Sequence, residues 1–186
     1  MALESYKANY SATCPGSLMI LGEHAVLYGS PCVVAAIDKF LTVNLTLTPK
    51  KHASPHIIIS SDIDKFIDVN DSTQDSSYQI DYYLQDAQFI NDAAEYKKFR
   101  YILAVINYFR LELSELNFDY SFVITSDINP GMGLGSSAAV TCASIAVILD
   151  LVEQNKDRQK ILKIGYEVIN QVQGKGSGAD LAASIY

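Results

Sequence analysis

Three glycines spaced two apart, Gly131, Gly133 and Gly135, are followed at once by Ser136 and Ser137. An apolar run, Tyr120 to Ile124, precedes them and reads as a strand; a longer one, Ala138 to Val152, follows and reads as a helix. Glycine has no Cβ, so such a loop can take positive φ and bring its backbone close to a ligand. The helix behind it opens with free N–H groups and the positive end of its dipole, which together attract an anion. Ser136 and Ser137 add hydroxyls able to cap that helix or to ligate a hard cation riding on a phosphate. By its physics the stretch is a phosphate cradle. It is not a P-loop, because Ser136 and not a lysine follows Gly135, and it lacks the third glycine of a dinucleotide fingerprint. The plain alternative is a glycine-rich turn with a serine cap and no ligand.

Two further stretches stand out. Cys14-Pro15-Gly16-Ser17-Leu18-Met19-Ile20-Leu21-Gly22-Glu23-His24-Ala25-Val26-Leu27-Tyr28-Gly29 contains an adjacent acid and base. Read alone, Glu23 and His24 are either an acid/base pair or loop residues held by hydrogen bonds. Gln173-Gly174-Lys175-Gly176-Ser177-Gly178-Ala179-Asp180 ends on an aspartate. On its own that aspartate is a turn or helix-cap residue.

In this order and near this spacing, the three stretches resemble the motifs of the GHMP kinases. That family includes galactokinase, homoserine kinase, mevalonate kinase and phosphomevalonate kinase. The Gly22-Glu23-His24-Ala25-Val26 form is most similar to mevalonate kinases, with phosphomevalonate kinases next. The resemblance implies an ATP-dependent small-molecule kinase that uses Mg²⁺ and phosphorylates mevalonate or a related isoprenoid-pathway acceptor. It implies nucleotide binding by Pro130, Gly131, Met132, Gly133, Leu134, Gly135, Ser136, Ser137 and Ala138, with Ser137 also on the metal. Asp180 matches the aspartate that accepts or orients the acceptor's hydroxyl proton, and Glu23, His24 and Ser17 fall on the substrate side. The fold implied is a ribosomal protein S5 domain 2-like, two-layer α+β sandwich. Residues 1–186 then form the N-terminal, ATP-binding domain, and the C-terminal GHMP domain that completes the site is absent from this chain.

Two positions depart from the family pattern. Where relatives carry a lysine beside the aspartate, this chain has Ser17, which supplies no positive charge. Lys175 is the residue expected to stand in for it. Where relatives place a Mg²⁺-binding glutamate, this chain has Ile169, which cannot ligate a hard cation. These departures keep a second function in view, a non-catalytic nucleotide- or metabolite-binding homologue. A related decarboxylase is a third, against which Gly22-Glu23-His24 argues.

The elements that must position these residues are α+β in character. Tyr6 to Thr13 and Leu18 to Leu21 read as short strands on either side of a Pro15-Gly16 turn. Cys32 to Ile37 is apolar, and Phe40 to Thr48 alternates with Leu41, Val43, Leu45 and Leu47 facing a core. His56 to Ser60 and Tyr78 to Leu84 read as further strands. Ser60 to Asp92 is otherwise read as surface loops, and His52 and His56 as exposed. Glu95 to Leu116 carries Phe99, Ile102, Leu103, Ile106, Phe109, Leu113 and Leu116 at helical spacing. Asp157 opens a last long helix, Arg158 to Val172.

A chain of 186 residues with 49% apolar content can bury one substantial core. Its net charge of −7 argues against nucleic acid as a partner. The start, Met1 to Lys7, lacks the apolar stretch of a signal peptide, and Ala138 to Val152 is short for a membrane span. A cytoplasmic protein off the membrane is expected, with three reduced cysteines and a small-molecule substrate. Self-association into a homodimer is left open.

Overall fold

Leu41, Val43, Leu45 and Leu47 all turn inward on one strand, none more than 8% exposed. Period-two alternation requires this of a strand with one covered face. The computed structural model describes residues 8–61, 78–84, 97–129 and 131–186. Pro130 and most of the loop region expected between Ser60 and Asp92 lie outside the described residues.

Among these residues five strands form one sheet: β1 (Asn9–Leu21), β2 (Val33–Pro49), β3 (His56–Ser61), β4 (Tyr78–Tyr83) and β5 (Phe118–Ser126). Their order across the sheet is β1-β2-β5-β3-β4. All neighbours are antiparallel except β3 and β5, which run parallel. The helices are α1 (Arg100–Tyr108), α2 (Arg110–Glu115), α3 (Ser136–Glu153), α4 (Arg158–Gln173) and α5 (Ala179–Ile185). Helix α3 packs on β1 and β2, α5 on the same two strands, and α4 and α1 against α3. The result is an α+β arrangement of sheet and helices.

Helix α3 is the centre of the core. Ala139, Cys142, Ala143, Ile145, Val147, Ile148 and Leu149 are fully buried, so it is apolar on nearly every side. By length and composition it could cross a bilayer, yet most of it is buried inside the domain. An all-round apolar helix is what a core position demands. The α4 cap is as expected: Asp157 Oδ1 accepts from the Lys160 N–H at 2.7 Å.

Three local expectations change. Pro15-Gly16 is not a turn between two strands but an irregularity within one, where the β1–β2 register shifts. Proline is tolerated there because β1 is an edge strand. Gly16 is required because a Cβ would stand 2.7 Å from the Leu134 carbonyl oxygen. The long helix read from Glu95 to Leu116 divides at Phe109 into α1 and α2. Both pieces keep the apolar stripe inward, with Ile102, Ile106, Phe109 and Leu113 buried. His56, expected in solvent, is half-buried, pairs with Asp81 and lies 5.2 Å from the Tyr83 ring; His52 is exposed.

Candidate functional site

The glycine loop leaves the end of β5 and delivers the chain to α3. Gly131, Gly133 and Gly135 take φ of 77°, 70° and 68°, the left-handed region that only glycine enters without strain. Around Gly131 and Gly133 a Cβ would meet nothing within 4 Å, so this backbone faces open space. Gly135 differs: a Cβ there would fall 2.0 Å from Ser17 Oγ. The loop is therefore pressed onto β1 at one glycine and free at the other two. Of the two roles open to the serines, capping α3 is not the one seen, because Gly135 is the capping residue and makes no side-chain bond. Ser136 and Ser137 are the first helical residues.

Beside the loop lies a cleft whose polar lining is Ser137, Gln173, Ser177 and Asp180, with Ala138, Ile169 and Leu181 beneath. Three backbone devices build its far wall. Gly174 ends α4 at φ 83°, donating to Asn170 O, and Asn170 Oδ1 accepts the Gly176 N–H at 2.8 Å. Gly178, at φ 76°, then starts α5, whose first turn carries Asp180. Asp180 is half-buried, and its Oδ1 accepts a hydrogen bond from Ser17 Oγ at 2.8 Å. Ser17 also donates its N–H to Leu134 O at 3.0 Å. The three stretches that stood out in the sequence thus meet at one point.

The individual residues divide. Gly131, Met132 and Gly133 are exposed, Leu134 to Ser137 half-buried, and Ala138 is buried. Ser17, expected at the substrate, is 0% exposed with its hydroxyl on Asp180, so this geometry offers no substrate contact through its side chain. Lys175, expected to replace the missing lysine, points to solvent and makes no ion pair with Asp180 among the described residues. The place beside Asp180 belongs to Ser17 instead. Ile169 does line the cleft, so no carboxylate reaches it from that position of α4. Glu23 and His24 are exposed after the end of β1, where His24 opens a short 3₁₀ turn over Ala25–Tyr28. They do not line the Asp180 cleft.

Some neighbours escaped the sequence reading. Gln173 Nε2 donates to the Tyr101 hydroxyl at 2.5 Å, and Arg100 donates to the same oxygen at 3.0 Å. The Arg100 guanidinium also sits 4.8 Å from the Tyr101 ring centre. Helical spacing marks Arg100 as an outward residue and cannot show which wall it ends beside. On the other flank of the glycine loop, Lys39, Asp127, Asn129 and Leu134 line a second depression.

A glycine loop with open backbone and a neighbouring aspartate stand together on this sheet, and the chain is similar to known proteins. Residues 100–186 match the family described as GHMP kinases N terminal domain, the family whose motifs the sequence resembles. Within that family its similarities are to mevalonate kinases. The mevalonate kinase of Pyrococcus furiosus is 32% identical over 175 residues, 93% of this chain and 48% of that protein. A crystal structure of mevalonate kinase has a TM-score of 0.72 at 27% identity, covering 95% of this chain and 51% of that one. That of the Methanococcus jannaschii mevalonate kinase has a TM-score of 0.70 at 26% identity, covering 100% of this chain and 52% of that one. These relatives give no support to the non-catalytic alternative. The chain spans about half the length of the curated relatives it matches.

Proposed function

We propose that this chain is the nucleotide-binding part of an ATP-dependent kinase that phosphorylates a small-molecule hydroxyl, with mevalonate as the first acceptor to test. The observation that carries the reading is the meeting of the glycine loop and Asp180 at one cleft, with Ser137 and Asp180 both in its lining. Phosphoryl transfer needs a positioned donor, compensated charge and an oriented acceptor. The open backbone at Gly131 and Gly133 and the N-terminus of α3 receive phosphate oxygens. Asp180 orients the acceptor hydroxyl and takes its proton. Support for mevalonate comes from the names of the relatives and from the Gly22-Glu23-His24 motif.

The cleft offers oxygen ligands that suit Mg²⁺: one carboxylate, two serine hydroxyls and the Gln173 amide oxygen. Mg²⁺ favours oxygen and is commonly held by one or two carboxylates together with substrate phosphates. Ser137 would hold it, together with phosphate oxygens of the donor, leaving the open oxygen of Asp180 for the acceptor's proton. The ion's contribution when bound is to offset the phosphate charge.

The β1–β2 pairing runs on past β5, which joins β2 only from Leu41 onward. On that arm Leu18, Ile20, Leu21 and Val33 are 45%, 55%, 66% and 50% exposed. This much clustered apolar surface marks an interface. With relatives about twice as long, a C-terminal domain is its proposed cover and completes the acceptor side.

The test is ATP turnover by the full-length protein with mevalonate and, separately, phosphomevalonate. ADP release that needs one acceptor, needs Mg²⁺ and disappears in Asp180→Asn is expected. Nucleotide binding without turnover on either acceptor would overturn the mevalonate assignment; silence across a wider panel of alcohols would overturn the kinase.

A further inference from the structure

We infer that Ser17 is the positioning residue of this site, and that its buried hydroxyl sets Asp180 in register with the phosphate-holding loop. The inference rests on the reading of Asp180 as the group that handles the acceptor's proton. It gives Ser17 a task different from contact with substrate.

Ser17 holds two parts of the site with two different atoms. Its N–H holds the glycine loop at Leu134 O, 3.0 Å away, and its Oγ–H holds Asp180 Oδ1, 2.8 Å away. The loop and the aspartate are 46 residues apart in sequence, counting from Leu134 to Asp180, yet one residue of β1 fixes both. The hydroxyl has no solvent to turn towards, since Ser17 is 0% exposed. Gly135 closes over it so tightly that even a methyl group on that glycine would overlap the oxygen. A side chain so confined keeps one rotamer, and its single proton has one charged acceptor in reach.

The consequence falls on the other carboxylate oxygen. Asp180 Oδ2 has no hydrogen-bond partner among the described residues, and Asp180 lines the cleft. With Oδ1 anchored, rotation about the Cβ–Cγ bond is restrained and Oδ2 remains presented to the cleft. Orientation of this kind is a large part of what a catalytic carboxylate needs. The neutral serine supplies it without a cation: Lys175 is in solvent, and the lysine expected from the family is replaced by this short donor.

The experiment uses full-length protein with ATP, Mg²⁺ and mevalonate, comparing wild type, Ser17→Ala and Ser17→Cys. Loss of the hydroxyl should lower kcat by about tenfold to a hundredfold, the scale of a small misplacement of a reacting group. The Kd for ATP, read by calorimetry, should stay within about twofold, because the backbone bond to the loop survives. Ser17→Cys keeps a donor, weaker and on a somewhat larger atom, and should give a kcat between the two. An active wild type with Ser17→Ala equally fast would overturn the inference and leave the kinase standing. So would an ATP Kd that weakens in step with kcat, since Ser17 would then serve the loop and not the aspartate. A wild type inactive on every alcohol offered removes the reading beneath it, and the inference with it.

Discussion

A buried and a half-buried carboxylate bracket β5. Asp119 lies at its start and Asp180 beside the loop that follows its end. Asp119 is 8% exposed and both its oxygens are taken by backbone, Oδ1 by the His56 N–H at 2.9 Å and Oδ2 by the Lys51 N–H at 3.3 Å. It closes the connection from β2 to β3. Asp180 has one oxygen held by a side chain and the other open to a cleft. A carboxylate can accept about four hydrogen bonds, so the same residue type can be filled by the fold or left for a ligand. The contrast separates an aspartate filled by the fold from one left open to a cleft.

The largest effect expected from breaking this contrast is on turnover. Asp180→Asn keeps the shape and removes the proposed base, and should lower kcat of the full-length protein by about a hundredfold to ten-thousandfold. The thermal midpoint should barely move. A large fall in the midpoint would mean that Asp180 is architectural too, and the comparison would collapse. Gly135→Ala comes next. Its φ of 68° and the 2.0 Å approach to Ser17 Oγ leave no place for a methyl group. It should cost roughly 2–4 kcal/mol in urea unfolding and abolish tight nucleotide binding. Asp119→Ala leaves two N–H groups unpaired and should cost about 2 kcal/mol. Its nucleotide affinity should match wild type; a weakened affinity would show the two ends of β5 to be coupled.

What the sequence revealed follows the reach of each signal. The inward leucines of β2, the apolar length of α3, the positive-φ glycines and the Asp157 cap are set within a few residues, and all were legible. The same local reasoning fails at Pro15-Gly16, where turn chemistry gives way to strand pairing with β2 and to the close approach of Leu134. It fails again at Lys175, a charge in the right stretch but on the wrong side of it. The bond between Ser17 and Asp180 joins residues 163 apart. Resemblance to a family put both residues near a site; only the folded chain shows the serine buried and donating. Asn170 and Tyr101, which shape the cleft wall, carry no pattern at all.

The smallest effect separates the same regions by thiol chemistry. Cys14 and Cys142 are buried on β1 and α3, while Cys32 is half-buried at the start of the exposed arm. Burial pushes the Cys14 thiol up to about 11, and burial together with the nearby Cys14 raises Cys142 well above the ordinary thiol range. At pH 8 only about one Cys14 in a thousand is then a thiolate, and the thiolate is the nucleophile. Native protein should therefore label first at Cys32 with a disulfide reagent, and all three thiols should react in urea. Peptide mapping by mass spectrometry assigns each site. Asp119→Ala, by loosening the core, should speed labelling of Cys142 through more frequent opening and leave the Cys32 rate alone. Asp180→Asn should change neither rate, since the bond it alters holds a carboxylate in place and not the layers of the fold. If Asp180→Asn sped Cys142 as much as Asp119→Ala did, the open carboxylate would be holding the core after all.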